Sequence, residues 1–215
     1  MQSDFIIVLA WPEGDVCAAG AWYDFFFAKN GKYRVGHSAL ILINNKTETA
    51  HYFDFGRYHT PNGYGRVRDE ETDLDLKLPK VKISNNNILQ LKKLLKTVQK
   101  MKSTHGKGKL YASVITNIDF NKAYSYAKKI QEKGMLKYGP FVLNGTNCSR
   151  FTASVIRKSN PSFIKKTRLR IPFCISPSPK RNVSICNNNY YVVDQQDCKR
   201  ILKSKFKSYF TTIEI

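Results

Sequence analysis

The chain has 215 residues, 42% hydrophobic and 13% aromatic, with 36 lysines and arginines against 16 aspartates and glutamates and a formal net charge of +20. That length suits one domain, and that apolar content excludes an intrinsically disordered chain. No apolar run approaches the roughly 20 residues that a membrane-crossing helix needs.

Residues 5–10 form a continuous apolar run ended by Pro12 and Gly14, which predicts a buried first strand. The run lacks a basic start, and Gly14-Asp15-Val16 before Cys17 is a poor lipoprotein cleavage site, so a strand is expected and not a signal peptide. Residues 18–29 predict a short helix with Trp22, Phe25 and Phe26 on one side, closed by Gly31. Residues 35–43 and 49–58 predict two strands around the turn cluster Asn44-Asn45-Lys46-Thr47, hence a hairpin. Residues 60–69 read as a loop, with Pro61, Gly63 and Gly65 set among Arg66 and Arg68. Leu74, Leu76, Leu78, Val81 and Ile83 mark extended structure.

From Asn87, apolar residues such as Leu91, Leu94, Leu95 and Val98 recur at helical spacing, with Lys92, Lys93, Lys96 and Lys100 on the other face. Residues 110–116 predict a strand, and 121–133 a helix ended by Gly134. Another helix runs from Cys148 to about Lys158 and is stopped by Asn160-Pro161. The tail carries Pro172, Pro177 and Pro179, a short strand at 190–193, and a basic segment with Ile201, Phe206 and Phe210. The expected fold class is α+β: one domain over residues 1–215, with 160–215 as a candidate basic C-terminal extension of it.

The five cysteines stand at 17, 148, 174, 186 and 198. An odd count without a CxxC pair argues against a disulfide scaffold and against structural zinc. Free thiols in a reducing cytoplasm are the simpler expectation. A charge of +20 attracts nucleic acid, anionic membrane or acidic small molecules, but the lysines are spread along the chain, as on a solvated basic surface.

Cys148 is the candidate nucleophile. Asn147 or Thr146 is a good N-cap, which places Cys148 in the first turn of its helix. Phe151, Thr152, Val155 and Ile156 follow on one face, directed to the core. The positive end of a helix dipole favours a thiolate, and the helix start offers N–H groups to an oxyanion. The same placement also suits a buried structural cysteine. Among the four histidines, His37 stands out, because it opens a strongly apolar strand and shares a face with Ala39, Ile41 and Ile43. A two-residue turn at Asn45-Lys46 pairs 44 with 47, and therefore 37 with 54. Asp54 then lies across from His37, within reach of its imidazole. A longer turn would change this register, and His51 is the fallback third member. In this arrangement Asp54 holds the imidazole, and His37 takes and returns the thiol proton.

Gly36-His37-Ser38-Ala39-Leu40-Ile41 and Asn147-Cys148-Ser149-Arg150-Phe151-Thr152 resemble the circularly permuted NlpC-type, papain-like cysteine hydrolases, a group related to lecithin:retinol acyltransferase. Residues 52–61 look like a bacterial subgroup of unknown function. In the permuted group His precedes Cys, as here. The resemblance implies a small antiparallel sheet packed on the Cys helix. It also implies a Cys-His-polar site that hydrolyses or transfers acyl groups at amides, esters or thioesters, with no cofactor. It leaves the third member, Asp54 or His51, open.

Arg57, Tyr58, His59 and Arg66 cluster just after the candidate site, with Tyr64 and Arg68 nearby, and suit a carboxylate or phosphate on an acyl substrate. Trp11 and Trp22 are candidate pocket walls. Two rival readings stand beside the enzyme. One is a non-enzymatic nucleic-acid binder, which the charge favours, although no binding module is recognisable. The other is a metal site of His37, His51, Asp54 and Cys148, whose spacings match no standard pattern.

Overall fold

The computed structural model describes residues 3–17, 24–27, 29–140, 142–170, 178–195 and 197–204. Strand β1 (Asp4–Trp11) is buried along nearly its whole length, because it lies mid-sheet with packing on both faces. This is why its sequence is an unbroken apolar run and not an alternating one. Strands β2 (Asp15–Cys17) and β3 (Lys32–Arg34) form a separate antiparallel ribbon with the four-residue helix α1 (Asp24–Phe27) between them. The rest of the helix expected over 18–29, Trp22 included, lies mostly outside the described residues.

Strands β4 (His37–Asn44) and β5 (Thr49–Gly56) form the expected hairpin, but in a shifted register. Asn44 pairs with Thr49 and Ala39 with Asp54, so the turn has four residues and not two. The Asn44 side chain accepts the N–H groups of Lys46 and Thr47, and Glu48 takes a left-handed conformation, φ 54°. These local bonds favour the longer turn. A slip of two residues keeps every side chain on its face.

The stretch expected as a loop over 60–69 contains strand β6 (Tyr64–Arg68), which pairs with β5. Its arginines hide the strand pattern, since one of them is a buried ion-pair partner. Residues Leu74–Leu76 make a 3-10 turn. Strands β7 (Ile83–Ser84) and β8 (Asn87–Ile88) close a small hairpin through Asn85 and Asn86, both at positive φ. The amphipathic helix α2 therefore begins at Leu91, not at Asn87, and runs Leu91–Lys100.

Strand β9 (Leu110–Ile118) leads to helix α3 (Phe120–Glu132), capped by the Asp119 carboxylate on the N–H of Lys122. Strands β10 (Leu136–Tyr138) and β11 (Gly145–Thr146) precede helix α4 (Cys148–Lys158). Two helices follow that the sequence pattern does not announce: α5 (Phe163–Arg170), and α6 (Pro179–Cys186) with Ser178 as N-cap and Pro179 in the first turn. Strands β12 (Asn189–Asp194) and β13 (Asp197–Leu202) complete the described chain. Cys174, Phe206 and Phe210 lie outside the described residues.

Among the described residues the main sheet has nine strands in the order β11-β10-β6-β5-β4-β1-β9-β12-β13, antiparallel except for the β10–β11 pair. One face packs Leu40, Phe53 and Phe55 against residues of α3, α4 and α6. The other carries Ile7, Leu9, Trp11, Ile41 and Tyr52 against α2 and the segment around Leu76–Val81. Helices α5 and α6 and strands β12 and β13 contribute to this same architecture, with Leu169, Val183 and Ile185 buried in it. Among the described residues no helix is long and apolar enough to cross a membrane.

Candidate active site

Helix α4 places Cys148 at its first position. The Asn147 side chain accepts the N–H of Arg150 at 2.9 Å, a standard N-cap. Phe151, Thr152, Val155 and Ile156 are all buried, which fixes the rotation of the helix and so the direction of Cys148. Arg150 braces the loop ahead of the helix, donating from Nη1 to the carbonyls of Gly139 and Val142 at 3.3 and 2.9 Å.

His37 opens β4, directly across from Trp11 at the end of β1. Gly36 sits just before it at φ 69°, and a Cβ there would lie 2.4 Å from the Trp11 carbonyl oxygen. Only glycine allows the chain to enter β4 this close to β1. The Trp11 indole stacks on the imidazole at 5.9 Å between ring centres, while its Nε1 donates to Gln99.

The Nε2 atom of His37 lies 3.0 Å from Oδ2 of Asp54. Nδ1 is then the ring nitrogen left for the thiol. Asp54 is 0% exposed. The same Oδ2 accepts from the hydroxyls of Tyr52 and Tyr58, each at 3.1 Å, and from Arg68 Nη2 at 2.7 Å, while Oδ1 accepts from Arg68 Nε at 3.1 Å.

These contacts set the charges. Burial pushes the Cys148 thiol up, but its hydrogen bond to His37, the charge of that ring and the Ser38 backbone N–H outweigh burial and bring it below its ordinary value. Burial pulls the His37 imidazole down, yet hydrogen bonds to Asp54 and Cys148 raise it from 6.5 to about 9. Burial would raise the Asp54 carboxyl, but His37 and Arg68 lower it to about 2. Cys148 and His37 thus favour a thiolate–imidazolium pair, with Asp54 ionised behind it.

His51 faces the other side of the sheet. It pairs with Leu42, hydrogen-bonds to Glu70 and packs against Tyr124. The structure does not bring it to Cys148. Arg66 forms a two-bond ion pair with Asp73, at 2.8 and 2.9 Å, and donates to the Tyr58 carbonyl, so its guanidinium braces the loop. Tyr58 turns back to Asp54, with its hydroxyl 3.3 Å from His37 Nε2. Arg57 bonds Asn62 and approaches the Tyr138 ring, and His59 is exposed at φ 51°.

Tyr52 is a site member that the sequence reading did not assign, and Arg68, read there as a grip for a substrate anion, instead holds Asp54. The signal lay in the spacing: Tyr52 is two residues from Asp54 on the same face, and a strand at 64–68 would have set Arg68 against it. Among the described residues no cluster of histidines, cysteines and carboxylates is arranged to hold a metal. Cys148, Cys186 and Cys198 are free thiols, and burial raises the last two.

The class defined by this architecture is an α+β protein with a large, mostly antiparallel sheet and a Cys-His-Asp cluster at the mouth of one helix. The chain belongs to the TseH-like family of type VI secretion system effectors, whose model matches residues 6–163. Its fold is similar to the crystal structure of the type VI secretion system effector TseH, with a TM-score of 0.62 and 20% identity over 93% of this chain and 98% of that one. No curated protein matches the chain significantly.

Proposed function

We propose that this effector is a papain-like cysteine hydrolase or acyltransferase, acting on an amide, ester or thioester through a thioacyl intermediate. The observation that carries this reading is a helix-start cysteine that interacts with the imidazole of His37, whose Nε2 is held by a buried carboxylate. The order of His before Cys is that of the permuted NlpC-type group.

In this mechanism the Cys148 thiolate attacks the substrate carbonyl carbon. Backbone N–H groups in the first turn of α4 steady the oxyanion. The tetrahedral species collapses as the His37 imidazolium gives its proton to the leaving nitrogen, oxygen or sulfur. Neutral His37 then takes a proton from water or another acceptor, which attacks the thioester and releases Cys148 as thiolate. Asp54 keeps the ring in one orientation through both halves. Arg57 and His59, at the rim beyond β5, remain the candidates for an anionic group on the substrate.

Membership in a type VI effector family supports a role inside a recipient cell, with residence in the cytoplasm of the producing cell before delivery. The test is site-resolved alkylation of Cys148 across pH in the wild type and in His37→Ala, followed by mass spectrometry after incubation with an activated thioester. The expected result is fast alkylation below pH 8, lost in His37→Ala, and an acyl adduct on Cys148. Equal reactivity in both proteins, with no adduct, would overturn the reading.

A further inference from the structure

Asp54 accepts from more donors than the orienting carboxylate of a catalytic pair needs. Oδ2 alone takes bonds from His37, Tyr52, Tyr58 and Arg68. Asp54 and Arg68 face each other directly in the β5–β6 register, and Arg68 is only 3% exposed. Its fork grips both carboxylate oxygens, and its Nη2 also donates to the Ser103 carbonyl at 3.0 Å. Its guanidinium lies 3.4 Å above the centre of the Tyr58 ring. That ring also stacks with His105, at 5.1 Å between ring centres. Gly56 makes room, because a Cβ there would sit 2.2 Å from the Tyr58 ring.

We propose that Arg68 and Tyr58 are positioning residues for the His37–Asp54 pair: they hold Asp54 ionised and in one orientation, and share its charge so that His37 is oriented without being over-held. This rests on the reading of Cys148 and His37 as the catalytic pair. The physical reason is a balance. A fully buried carboxylate with no cation behind it either takes up a proton or binds the imidazolium so tightly that the proton is no longer available to a leaving group. The buried groups then form a line of alternating charge: thiolate, imidazolium, carboxylate, guanidinium. Arg68 cannot lose its proton in a protein, so the line is anchored at a fixed positive end. Two further groups sit close by. His105, beyond Tyr58, is held toward its neutral form by burial and by the Arg68 charge. Asp73 stands 3.9 Å from Arg68 and already holds Arg66.

The experiment follows two titrations in the full chain: Cys148 by alkylation rate against pH, and His37 by the NMR shift of its ring protons. The variants are Arg68→Met, Arg68→Lys and Tyr58→Phe. Removing a positive charge makes every proton in the line harder to lose. Arg68→Met is therefore expected to move both midpoints upward, by about one pH unit. Arg68→Lys restores both toward wild type, although its single ammonium cannot reproduce the fork. Tyr58→Phe keeps the ring under the guanidinium and removes only the hydroxyl, so it raises the His37 midpoint and moves Cys148 less. A purely structural role lowers the unfolding midpoint and leaves both titrations in place; that result, in Tyr58→Phe and Arg68→Met alike, overturns the proposal. If Arg68→Met does not fold, Tyr58→Phe decides. A wild-type Cys148 that stays unreactive while the His37 midpoint still moves in the variants would overturn the nucleophile and leave the positioning intact.

Discussion

His37 and Asp54 meet across a diagonal of the β4–β5 hairpin. Asp54 stands opposite Ala39, two residues along from His37, and the imidazole still comes within 3.0 Å of its carboxylate. The diagonal leaves room for Arg68, directly opposite Asp54 on its other flank, to take the remaining lone pairs.

Replacing Cys148 by alanine removes the proposed nucleophile. Acyl transfer is expected to fall on the order of 10⁴-fold or more. Near-UV circular dichroism should stay unchanged, since the side chain lost is small. Turnover of an activated ester by Cys148→Ala at the wild-type rate would assign the chemistry elsewhere.

The pH dependence of stability carries two opposing contributions. His37 is raised to about 9, so its contribution is whole below 6.5 and is lost as pH rises through about 9. Cys148 is lowered from 9.0, so its contribution appears as pH rises through the folded value and is complete above 9.0. Where the Cys148 thiol is already ionised in the folded protein and pH is still below 9, the proton that His37 keeps is offset by the one that Cys148 has released, so wild-type stability should vary little with pH there. In Cys148→Ser the histidine contribution remains, carried by Asp54 and reduced by the part that Cys148 supplied, and the unfolding free energy should fall as pH rises past 6.5, by at most about 1.4 kcal/mol per pH unit. On the acid side Asp54, lowered from 3.8 to about 2, loses its contribution as pH drops through that interval. Urea midpoints measured across pH in both proteins check the signs.

Asn147→Ala removes the N-cap of α4. The expected cost is about 1 kcal/mol of stability, with slower alkylation of Cys148 near neutral pH as the helix start loosens. Alkylation at the wild-type rate in a measurably destabilised variant would separate the cap from the chemistry.

Gly36→Ala places a Cβ 2.4 Å from the Trp11 carbonyl oxygen and 2.7 Å from Pro12 Cα, at a φ that disfavours alanine. A loss of about 3 kcal/mol is expected, read from the denaturant midpoint. Because β1 and β4 must part to relieve the clash, His37 should lose its register with Asp54 in the same variant.

His51→Gln tests the alternative third member. His51 is hydrogen-bonded to Glu70 on the opposite face, so the alkylation profile of Cys148 should match wild type. A loss of Cys148 reactivity like that expected of His37→Ala would return His51 to the site.

Much of the site was legible before the fold. Asn147 as a cap, Cys148 in the first turn and the apolar positions 151, 152, 155 and 156 all follow from one helix, whose period is a local property. His37 and Asp54 were assigned to one face by alternation, and a register error of two residues left that assignment standing, since side chains repeat every second residue. The parts that escaped are non-local. Strand β6 reads as a basic loop because its arginines find carboxylates only after the strands pair. Helices α5 and α6 are short and carry little periodicity, and they form because α4 and the sheet offer them a surface.

The sequence by itself determined the local choices: which stretches are apolar, where α4 starts, and which cysteine stands at a helix dipole. Backbone propensity and side-chain periodicity act within a few residues and need no partner. Only the tertiary structure decided what surrounds Asp54. Arg68 is 14 residues away, and Cys148 is more than a hundred from His37. No local pattern specifies such distances. A buried carboxylate requires a cation and donors wherever the chain can supply them, and the pairing of β5 with β6 is what brought Arg68 there.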